Sequence, residues 1–335
     1  MKHIGTAILA LMLCVSLTAC GEDEAAVDLR VAAMSSVNLV NYLGNAENIH
    51  PKVLYFDDGW NGHRYWMAYT PYPKGTVAAE NPCIAVSDDG VRWEAPEGVV
   101  NPLAPQPAGG YNSDTHLVYN PADGSLECWW RAYDIPSRRD RILRRISRDG
   151  VGWSAPETVL PASDGREWQC LSPAVSIIDG RYVMLYSDGA NIYIMRSAAE
   201  APAVSWEAPV RVDIPFIGKN HWHQDMVVSA DGREAVVISC CYGPEGNNNS
   251  ADLYGMVFDL ERARSTRPVL LIARGELNPS VTGRSLYRSS LVSVGSRYRI
   301  YYSSIDEGWH RHLGMTEGDW NELVSRLRGA SDAAE

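Results

Sequence analysis

Five short apolar segments rich in β-branched and aromatic residues recur along the chain, each directly after a turn that contains glycine. Four of the turns carry Asn-Gly or Asp-Gly and the fifth carries Gly-Ser. Such dipeptides favour tight connections between antiparallel strands. Another apolar segment precedes each turn, beginning near residues 50, 116, 173, 226 and 290. The pattern predicts five hairpins, whose second strands contain residues 65–69, 126–130, 182–186, 235–239 and 298–302.

A tryptophan motif repeats with a similar period. Trp-Glu-Ala-Pro at 93–96 is followed by Trp-Ser-Ala-Pro at 153–156 and Trp-Glu-Ala-Pro at 206–209, and Trp320 marks a further unit. From Trp93 to Trp320 the units average about 57 residues, which is the size of a propeller blade. Five such units predict an all-β fold, a five-bladed β-propeller that covers residues 48–320.

The segments on either side of the five units have predicted roles of their own. Residues 28–43 fit no unit and are a candidate for an outer strand that closes the ring of blades. Residues 321–335 form a C-terminal tail. Its first part, 321–328, is amphipathic and predicts a terminal helical turn.

The first residues of the chain resemble a targeting segment. Lys2 and His3 precede an apolar run over residues 4–15, which is too short to span a bilayer. The run leads into Leu-Thr-Ala-Cys at 17–20. This tetrapeptide resembles the bacterial lipoprotein box, in which the signal is cut before the cysteine and the cysteine then carries the lipid.

The lipoprotein box sets the first domain boundaries. We predict a signal peptide over residues 1–19, lipidation of Cys20, and a lipidated N-terminus and linker over 20–47. Gly21, and not aspartate, follows the cysteine. By the sorting rule of enteric bacteria this resembles an outer-membrane destination, so we expect a cell-envelope protein.

Composition narrows the classes of partner. The formal net charge is −11, so the chain lacks the basic surface that a nucleic-acid backbone requires. There are 11 Trp and 17 Tyr against 3 Phe. Rings with a polar tip suit sugar-binding clefts, although strands also favour them. The cysteines beyond Cys20 form no Cys-x-x-Cys pair, and we expect them to be buried small apolar residues.

Two short sequences of the form Ser-x-Asp-Gly-Val-x-Trp, at 87–93 and 147–153, resemble shortened sialidase Asp-boxes, which are structural turns. The segments at 49–55 (IHPKVLY) and 287–292 (YRSSLV) and the number of blades extend the likeness. Together they make residues 50–320 resemble the five-bladed propeller glycosidases of glycoside hydrolase families 43, 32, 62 and 117. This resemblance implies the fold and an activity on glycosidic bonds.

The first blade departs from the family pattern. These glycosidases typically place a catalytic-base aspartate at the start of that blade, beside a histidine or proline. The matching residues here, 48–52, read Asn-Ile-His-Pro-Lys and contain no carboxylate. Either the acid and base lie in other blades, or the protein does not hydrolyse glycosides by that scheme.

Three carboxyl groups are candidate catalytic residues, because glycoside hydrolysis needs one protonated and one ionised carboxyl. Asp114 and Asp225 lie at the predicted starts of axial strands in blades two and four, and we expect them to face each other as base or nucleophile. Glu80 is the candidate general acid, since its neighbours Tyr72 and Pro82 would raise its pKa. An aspartate at a strand start can equally cap a turn.

Residues predicted at the same end of the blades are candidates for substrate binding. They are His50, His116, Arg131, His221, Trp222, His223, Tyr287 and Arg288. The two arginines suit a sugar carboxylate, or they neutralise the aspartates. His221 and His223 alternate along a strand, so we expect them to point the same way. The pair could bind a metal, hydrogen-bond sugar hydroxyls or donate a proton, and a structural or substrate-binding role is favoured over a metal site.

The favoured function is a lipid-anchored extracytoplasmic glycoside hydrolase that acts on a poly- or oligosaccharide. Three alternatives stay open. One is a carbohydrate-binding propeller without turnover. Another is a polysaccharide lyase, in which Tyr287 or a histidine removes the proton beside a uronate carboxylate. The third is a structural or assembly role without a glycan, since propellers also serve as protein scaffolds. We expect carbohydrate as the partner, membrane contact only through the lipid, no nucleic acid and no cofactor, with a structural calcium or other ion in the central channel left open.

Overall fold

The computed structural model describes residues 35–161, 170–197, 205–215, 218–276 and 282–329. The predicted signal peptide and Cys20 lie outside these ranges. Within them the chain is mostly β-strand, and the strands form the five blades of a β-propeller. The predicted fold class is therefore confirmed. No helix in the described ranges is long and apolar enough to cross a bilayer.

The helical elements are few. Two single 3₁₀ turns, Pro73–Gly75 and Val77–Ala79, follow one another in blade 1, and an α-helix spans Trp320–Gly329. The described strands, in chain order, are β1 (Ser35–Ser36), β2 (Asn38–Leu39), β3 (Asn48–Trp60), β4 (His63–Pro71), β5 (Cys83–Ser87), β6 (Arg92–Trp93), β7 (Gly110–Asn120), β8 (Ser125–Asp134), β9 (Arg139–Ser147), β10 (Glu157–Leu160), β11 (Leu171–Ile178), β12 (Arg181–Ser187), β13 (Ile192–Arg196), β14 (Val210–Arg211), β15 (Asn220–Val228), β16 (Glu234–Tyr242), β17 (Asp252–Asp259), β18 (Arg264–Ser265), β19 (Val269–Ile272), β20 (Ser285–Val294), β21 (Arg297–Ile305) and β22 (Arg311–Asp319).

Each blade is an antiparallel sheet whose strands follow one another along the chain. Blade 1 contains β3–β5, blade 2 β7–β10, blade 3 β11–β14, blade 4 β15–β19 and blade 5 β20–β22 with β1. The first strands β3, β7, β11, β15 and β20 contact one another in a closed ring around the axis. The five predicted second-strand segments lie in β4, β8, β12, β16 and β21.

The first described residues join the last blade to the first. β1 pairs with β22 of blade 5, and β2 pairs with β6 beside blade 1. Between them, Val37 donates a hydrogen bond from its backbone N–H to the Leu313 carbonyl. Val37 and Leu39 are buried in a cluster with Trp93 and Tyr301. Residues 35–39 therefore close the ring by both hydrogen bonds and apolar packing.

Both Asp-box sequences form the same structural turn. In the second copy, Asp149 Oδ1 accepts hydrogen bonds from the backbone N–H groups of Val151 and Gly152 at 2.9 and 2.8 Å. The Trp153 indole donates to the Gly150 carbonyl at 3.1 Å. The first copy repeats these bonds at 2.8, 2.8 and 3.1 Å. The aspartates are thus occupied by backbone amides, which accords with a structural role.

Apolar side chains fill the spaces between neighbouring blades. The indole of Trp129 is fully buried between blades 2 and 3, where the Arg144 guanidinium lies 5.5 Å from its ring. Trp130 is also fully buried and donates to Asn112 Oδ1. The described cysteines are buried and carry free thiols, as expected. They are Cys83, Cys128, Cys170, Cys240 and Cys241.

The last described residues form a helix that is longer than the predicted single turn. It buries Leu323 and Leu327. Gly255 of β17 makes room for it, since a Cβ at that position would lie 3.1 Å from Leu327 Cδ2. The helix therefore packs against blade 4.

All five axial strands contain a β-bulge at the same level. In each strand one extra residue interrupts the pairing with the second strand. Three of the bulged positions, His50, Asp114 and Ser172, have left-handed backbone conformations with φ of 55°, 54° and 50°. Such bulges bend a strand and redirect a side chain, and they are frequent beside active sites. Here His50 and Asp114 lie at bulges, and His223 directly follows one, and these three side chains come close together.

The bulges change where the axial strands begin. β7 starts at Gly110 and β15 at Asn220. Asp114 and Asp225 consequently lie inside their strands, and not at the starts as predicted. The polar residues of the bulge precede the apolar run in each strand, so hydrophobic periodicity places the start too late.

Candidate functional site

His50, Asp114 and His223 converge at the level of the bulges, on the first strands of blades 1, 2 and 4. We call these three residues the axial cluster. Each is buried, and one ligand atom from each lies within 4.8 Å of the others. Asp114 Oδ1 is 3.3 Å from His50 Nε2 and 3.5 Å from His223 Nδ1. Sequence spacing does not reveal this grouping, because the residues are 64 and 109 positions apart.

Both histidines of the axial cluster are fixed through Nδ1. Ser172 Oγ is hydrogen-bonded to His223 Nδ1. His50 Nδ1 lies 3.0 Å from Thr70 Oγ1 and accepts from the Asp114 backbone N–H at 3.2 Å. The Nε2 atoms of both rings are buried and have no hydrogen-bond partner within the described chain. Buried polar atoms are rarely left unpaired, so these two indicate a ligand.

The electrostatics of the axial cluster favour neutral imidazoles and an ionised carboxylate. Burial lowers the pKa of His50 to about 3, and it lowers that of His223 well below its usual value. Burial alone would raise the pKa of Asp114, but the charges around it, with Arg131 the largest, together outweigh burial and hold this pKa below its usual range. These are the protonation states that metal ligands require.

Glu80 lies beside the axial cluster, in the segment that follows the second 3₁₀ turn. One carboxylate oxygen, Oε1, is 3.4 Å from His50 Nδ1 and accepts a hydrogen bond from Ser113 Oγ at 2.8 Å. Only 4% of its surface is exposed. Burial, reinforced by the charge of Asp114, raises the pKa of Glu80 to about 8. The direction is the one expected for a general acid.

Arg131 neutralises two buried aspartates. Its Nε donates to Asp114 Oδ2 at 2.8 Å, and its Nη1 donates to Asp140 Oδ1 at 2.7 Å. The rings of Tyr111 and Tyr133 lie 5.5 and 5.6 Å from the guanidinium. These contacts correspond to the second of the two roles considered for Arg131, neutralisation of an aspartate.

Asp225 has different partners from Asp114. Lys52 Nζ donates to both of its oxygens, at 2.7 and 2.9 Å, and the Leu291 backbone N–H donates to Oδ2 at 2.9 Å. Both charged side chains are buried. Asp225, which lies two residues beyond His223 on β15, therefore forms an internal ion pair with Lys52.

His221 and His223 do not point the same way, contrary to expectation. The bulge at Trp222 makes them face consecutive residues of β16, Cys241 and Cys240. Consecutive strand residues point to opposite faces of a sheet. His221 therefore leaves the axis and lies 3.0 Å from Ser239 Oγ.

His116 and Arg288 form a buried contact inside the channel. The Arg288 guanidinium, which is fully buried, donates to His116 Nδ1 at 3.1 Å and to the Pro173 carbonyl at 2.9 Å. A guanidinium can only donate, so His116 Nδ1 is the acceptor of this bond. His116 Nε2 lies 2.9 Å from both the carbonyl oxygen and the backbone nitrogen of Val175. This contact links blades 2, 3 and 5.

Tyr287 and Trp222 enclose the axial cluster from blades 5 and 4. The Tyr287 ring centroid lies 4.3 Å from that of His223 and 5.5 Å from that of His50. Burial raises the pKa of Tyr287 well above its usual value, so its hydroxyl keeps the proton. The Trp222 ring packs edge-on against His223 at 5.6 Å.

A pocket opens beside Tyr287, and we call it the mouth pocket. Its volume is about 320 Å³, within the range of about 300–1,000 Å³ that is typical of ligand pockets. It lies between loops of blades 1, 4 and 5. The residues that line it with Tyr287 include Tyr72, Lys74, Asn248, Asn249, Trp309 and Arg311.

Sequence reasoning did not assign Lys74 and Arg311 to the site. Lys74 lies in the connection between the second and third strands of blade 1, and Arg311 begins the third strand of blade 5. A search for charged residues in these connections and at the strand starts that follow them would have found both. Their convergence with Asn248 depends on the three-dimensional arrangement of the blades, which no local pattern encodes.

The fold is the one found in family-43 glycoside hydrolases. A thermostable enzyme of that family has a TM-score of 0.59 at 12% identity, with 85% of this chain and 92% of the other covered. For an arabinanase of Bacillus subtilis the values are 0.58, 11%, 87% and 99%. The protein is therefore a five-bladed β-propeller whose structural neighbours include these enzymes. No protein-family model matches the chain.

A more similar structure is that of an N-acetylgalactosamine deacetylase from F. plautii in complex with blood group B trisaccharide. It has a TM-score of 0.75 at 24% identity, with 90% of this chain and 98% of the other covered. The curated A type blood N-acetyl-alpha-D-galactosamine deacetylase of Flavonifractor plautii is 32% identical over 320 residues, which cover 77% of this chain. The match spans 40% of that relative's length.

Proposed function

We propose that the protein is a metal-dependent deacetylase of N-acetylated amino sugars. The observation that carries this proposal is the buried group of His50, Asp114 and His223, in which one ligand atom from each residue lies within 4.8 Å of the others. Two imidazoles and one carboxylate are a ligand set of catalytic zinc and related divalent ions, with positions left for water and substrate. The spacing of the three residues allows one ion to contact all of them after small side-chain movements.

The neighbours of the axial cluster suit such an ion. Cation binding at His50 Nε2 requires the ring proton to be on Nδ1, which gives up the hydrogen bond from the Asp114 backbone N–H. Thr70 Oγ1 at 3.0 Å or Glu80 Oε1 at 3.4 Å can then accept that proton. Ser172 Oγ plays the same part for His223. Hydroxyl and carboxylate partners of this kind orient metal-bound histidines. When bound, a divalent cation supplies polarisation of a carbonyl group and acidification of water.

The remaining chemistry belongs to protein side chains. Hydrolysis of an acetamide transfers a proton from water to the departing amine nitrogen. Glu80 lies beside the axial cluster with one oxygen held by Ser113, so it can carry this proton between water and amine. Tyr287 keeps its hydroxyl proton and lies against both imidazoles, so it can donate a hydrogen bond to the acetyl oxygen.

Two further observations bear on the choice of reaction. The 32% identical relative is a deacetylase of an N-acetylated amino sugar, which supports the proposal. Glycoside hydrolysis is the second candidate, because Glu80 and Asp114 approach opposite nitrogens of the His50 ring. Both functions act on carbohydrate, and they differ in the bond that breaks.

Product analysis tests the proposal. N-Acetylgalactosamine- and N-acetylglucosamine-terminated oligosaccharides would be incubated with the protein, and acetate, new primary amines and new reducing ends would be measured separately. We expect acetate and amine in equal amounts, loss of both after chelation, and recovery on addition of Zn²⁺, Mn²⁺ or Co²⁺. Reducing ends without acetate would instead support the glycosidase.

Single variants identify the ligands. His50→Gln and His223→Gln should each lower bound metal and acetate release by about 100-fold or more, since even the loss of an indirect partner typically costs 10–100-fold. His63→Gln is the matched control, because His63 begins β4 at the end remote from the site. Acetate release that persists after chelation and in both variants would contradict the proposal.

We also propose that the protein is a lipoprotein of the cell envelope, attached at Cys20 and directed to the outer membrane. Support comes from the sequence alone, namely the apolar run over residues 4–15 and the Leu-Thr-Ala-Cys motif at 17–20. A glycan-acting enzyme held at a cell surface would meet polymers that do not enter the cell.

A further inference from the structure

The mouth pocket is cationic, although the protein as a whole is acidic. The formal net charge of the chain is −11. The lining residues that the structure describes include Lys74 and Arg311 and contain no aspartate or glutamate. A protein of negative charge repels anions at a distance. A pocket with two cations is therefore a local exception that suits a negatively charged ligand.

Arg311 is held in place but retains free donor capacity. It is 5% exposed, and its guanidinium lies 4.9 Å from the ring centroid of Tyr72. Nη1 donates to the Trp309 carbonyl. Nε is buried and has no hydrogen-bond partner among the described residues. An unmade hydrogen bond of a buried charged group is costly, and an anionic acceptor would satisfy it.

Lys74 provides the second positive charge. Its side chain is exposed, and no ion pair to it is found within the described ranges. The nearby Glu47 carboxylate accepts from the backbone N–H groups of Lys74 and Arg311, at 3.0 and 3.2 Å. Glu47 thereby ties the two loops together and leaves the pocket with a net positive charge.

We propose that the mouth pocket binds the anionic group of an acidic glycan, a uronate carboxylate or a sulfate ester, on or next to the N-acetylated sugar. The link to an N-acetylated sugar rests on the proposed function, whereas the anion site rests on Lys74 and Arg311 alone. The amides of Asn248 and Asn249 line the opposite loop and suit neutral sugar hydroxyls. The pocket thus gives the site a preference for charged polymers.

Equilibrium binding to the full chain tests this inference. The Glu80→Gln variant would be used, because the proposed function removes its turnover and leaves the pocket intact. The probes are an unsulfated chondroitin tetrasaccharide, its carboxyl-reduced form, in which each uronate is a neutral hexose, and a sulfated version of the reduced form. We expect the uronate or the sulfated probe to bind about tenfold more tightly than the neutral one, and the stronger of the two identifies the group.

Charge variants locate the site. Lys74→Gln and Arg311→Gln should each weaken binding of the charged probe and leave binding of the neutral probe unchanged. Arg148→Gln is the matched control, because it removes the same charge from an exposed side chain that pairs with Asp123 in the turn region of blade 2. Since Lys74 is exposed, its variant stays informative even if Arg311→Gln does not fold.

The two proposals fail in different ways. Equal binding of the charged and neutral probes, or a preference that survives in Lys74→Gln and in folded Arg311→Gln, would overturn the anion site. Absence of acetate from every glycan, together with a charge preference that Lys74 controls, would overturn the deacetylase and leave the anion site standing. Acetate release together with equal binding of charged and neutral probes would overturn the anion site and leave the deacetylase standing.

Discussion

The two buried aspartates on the axial strands have different neighbours. Asp114 contacts the Arg131 guanidinium and the imidazoles of His50 and His223. Asp225 pairs with the Lys52 ammonium group and accepts a hydrogen bond from the Leu291 backbone amide. In the function proposed above, the first environment binds a cation, whereas the Asp225 carboxylate serves an internal ion pair. Both aspartates were equal candidates in the sequence.

Replacement of Asp225 tests the structural role of its ion pair. Asp225→Asn leaves the buried Lys52 ammonium without its counter-charge, which typically costs about 3–5 kcal/mol of folding free energy. We expect a lower denaturation midpoint and a turnover number close to the original while the variant is folded. Chemical denaturation and product assays measure the two effects.

The control for this variant removes both charges. Lys52→Met/Asp225→Leu should recover most of the lost stability, because a buried ion pair can be replaced by apolar groups of similar size. Loss of turnover in Asp225→Asn without any loss of stability would return Asp225 to the catalytic residues.

Side-chain identity at the site could largely be predicted, and the pairing of side chains could not. His50, Asp114 and His223 stand out in the sequence as polar residues beside apolar strand segments, and Glu80 stands out as a carboxyl group with the neighbours Tyr72 and Pro82. Three of these residues form the axial cluster and Glu80 lies beside it, and this arrangement depends on the β-bulges. The bulged positions contain no glycine, so the sequence gives no local sign of them. The opposite directions of His221 and His223 have the same cause, since one extra residue reverses the alternation.

At the scale of elements, the Asp-Gly turns predict the blades because their chemistry is local. Asp-Gly and Asn-Gly fix the hairpins, and the Asp-box aspartates fill backbone donors within a few residues. Such bonds need no distant partner, so sequence patterns reveal them. The starts of the axial strands were predicted too late, because the polar residues of each bulge precede the apolar run from which the strand was recognised.

Gly150 and Gly180 have the same backbone conformation, so alanine variants of the two distinguish the cost of backbone strain from the cost of side-chain crowding. Gly150 has φ of 77° and Gly180 has φ of 75°. A Cβ at Gly150 would lie 2.0 Å from Trp66 Cη2, whereas one at Gly180 would meet nothing within 4 Å. Gly180→Ala should cost about 1–2 kcal/mol through strain alone. Gly150→Ala should cost about 1–3 kcal/mol more, because the Trp66 indole must move.

Urea denaturation followed by tryptophan fluorescence measures both glycine variants. We expect a shifted native emission spectrum only for Gly150→Ala. Equal losses of stability would mean that the Asp-box turn tolerates a side chain and that its glycine serves backbone conformation alone.

At the scale of the whole molecule, the ring is closed by residues that are distant in sequence. β1 pairs with β22, which follows it by about 280 positions. The number of blades could be read from the repeat, and residues 28–43 were the candidate for closure because they fitted no unit. The two strands formed there are only two residues long, too short for a periodicity argument to locate.

The anchoring proposal also belongs to the whole molecule. In a bacterial host, Cys20→Ser should move the protein from the membrane fraction to the soluble extracytoplasmic fraction, because the lipid is the predicted attachment. Fractionation and mass spectrometry of the mature N-terminus measure this. Cys14→Ser is the control, since it changes a cysteine within the predicted signal peptide. An unchanged membrane fraction for Cys20→Ser would exclude lipid anchoring at that residue.

The five bulges at one level have a consequence for how reactions diversify on this scaffold. Each blade presents one inward position there, and the backbone that presents it belongs to a strand held by its own hairpin. The residues at the bulges include His50, Asp114, Ser172, Trp222 and Tyr287, and His223 of the axial cluster follows directly after the bulge of blade 4. An exchange of any one alters the reactive centre without lengthening a loop or moving a blade. New chemistry on this ring can therefore arise by point substitution alone.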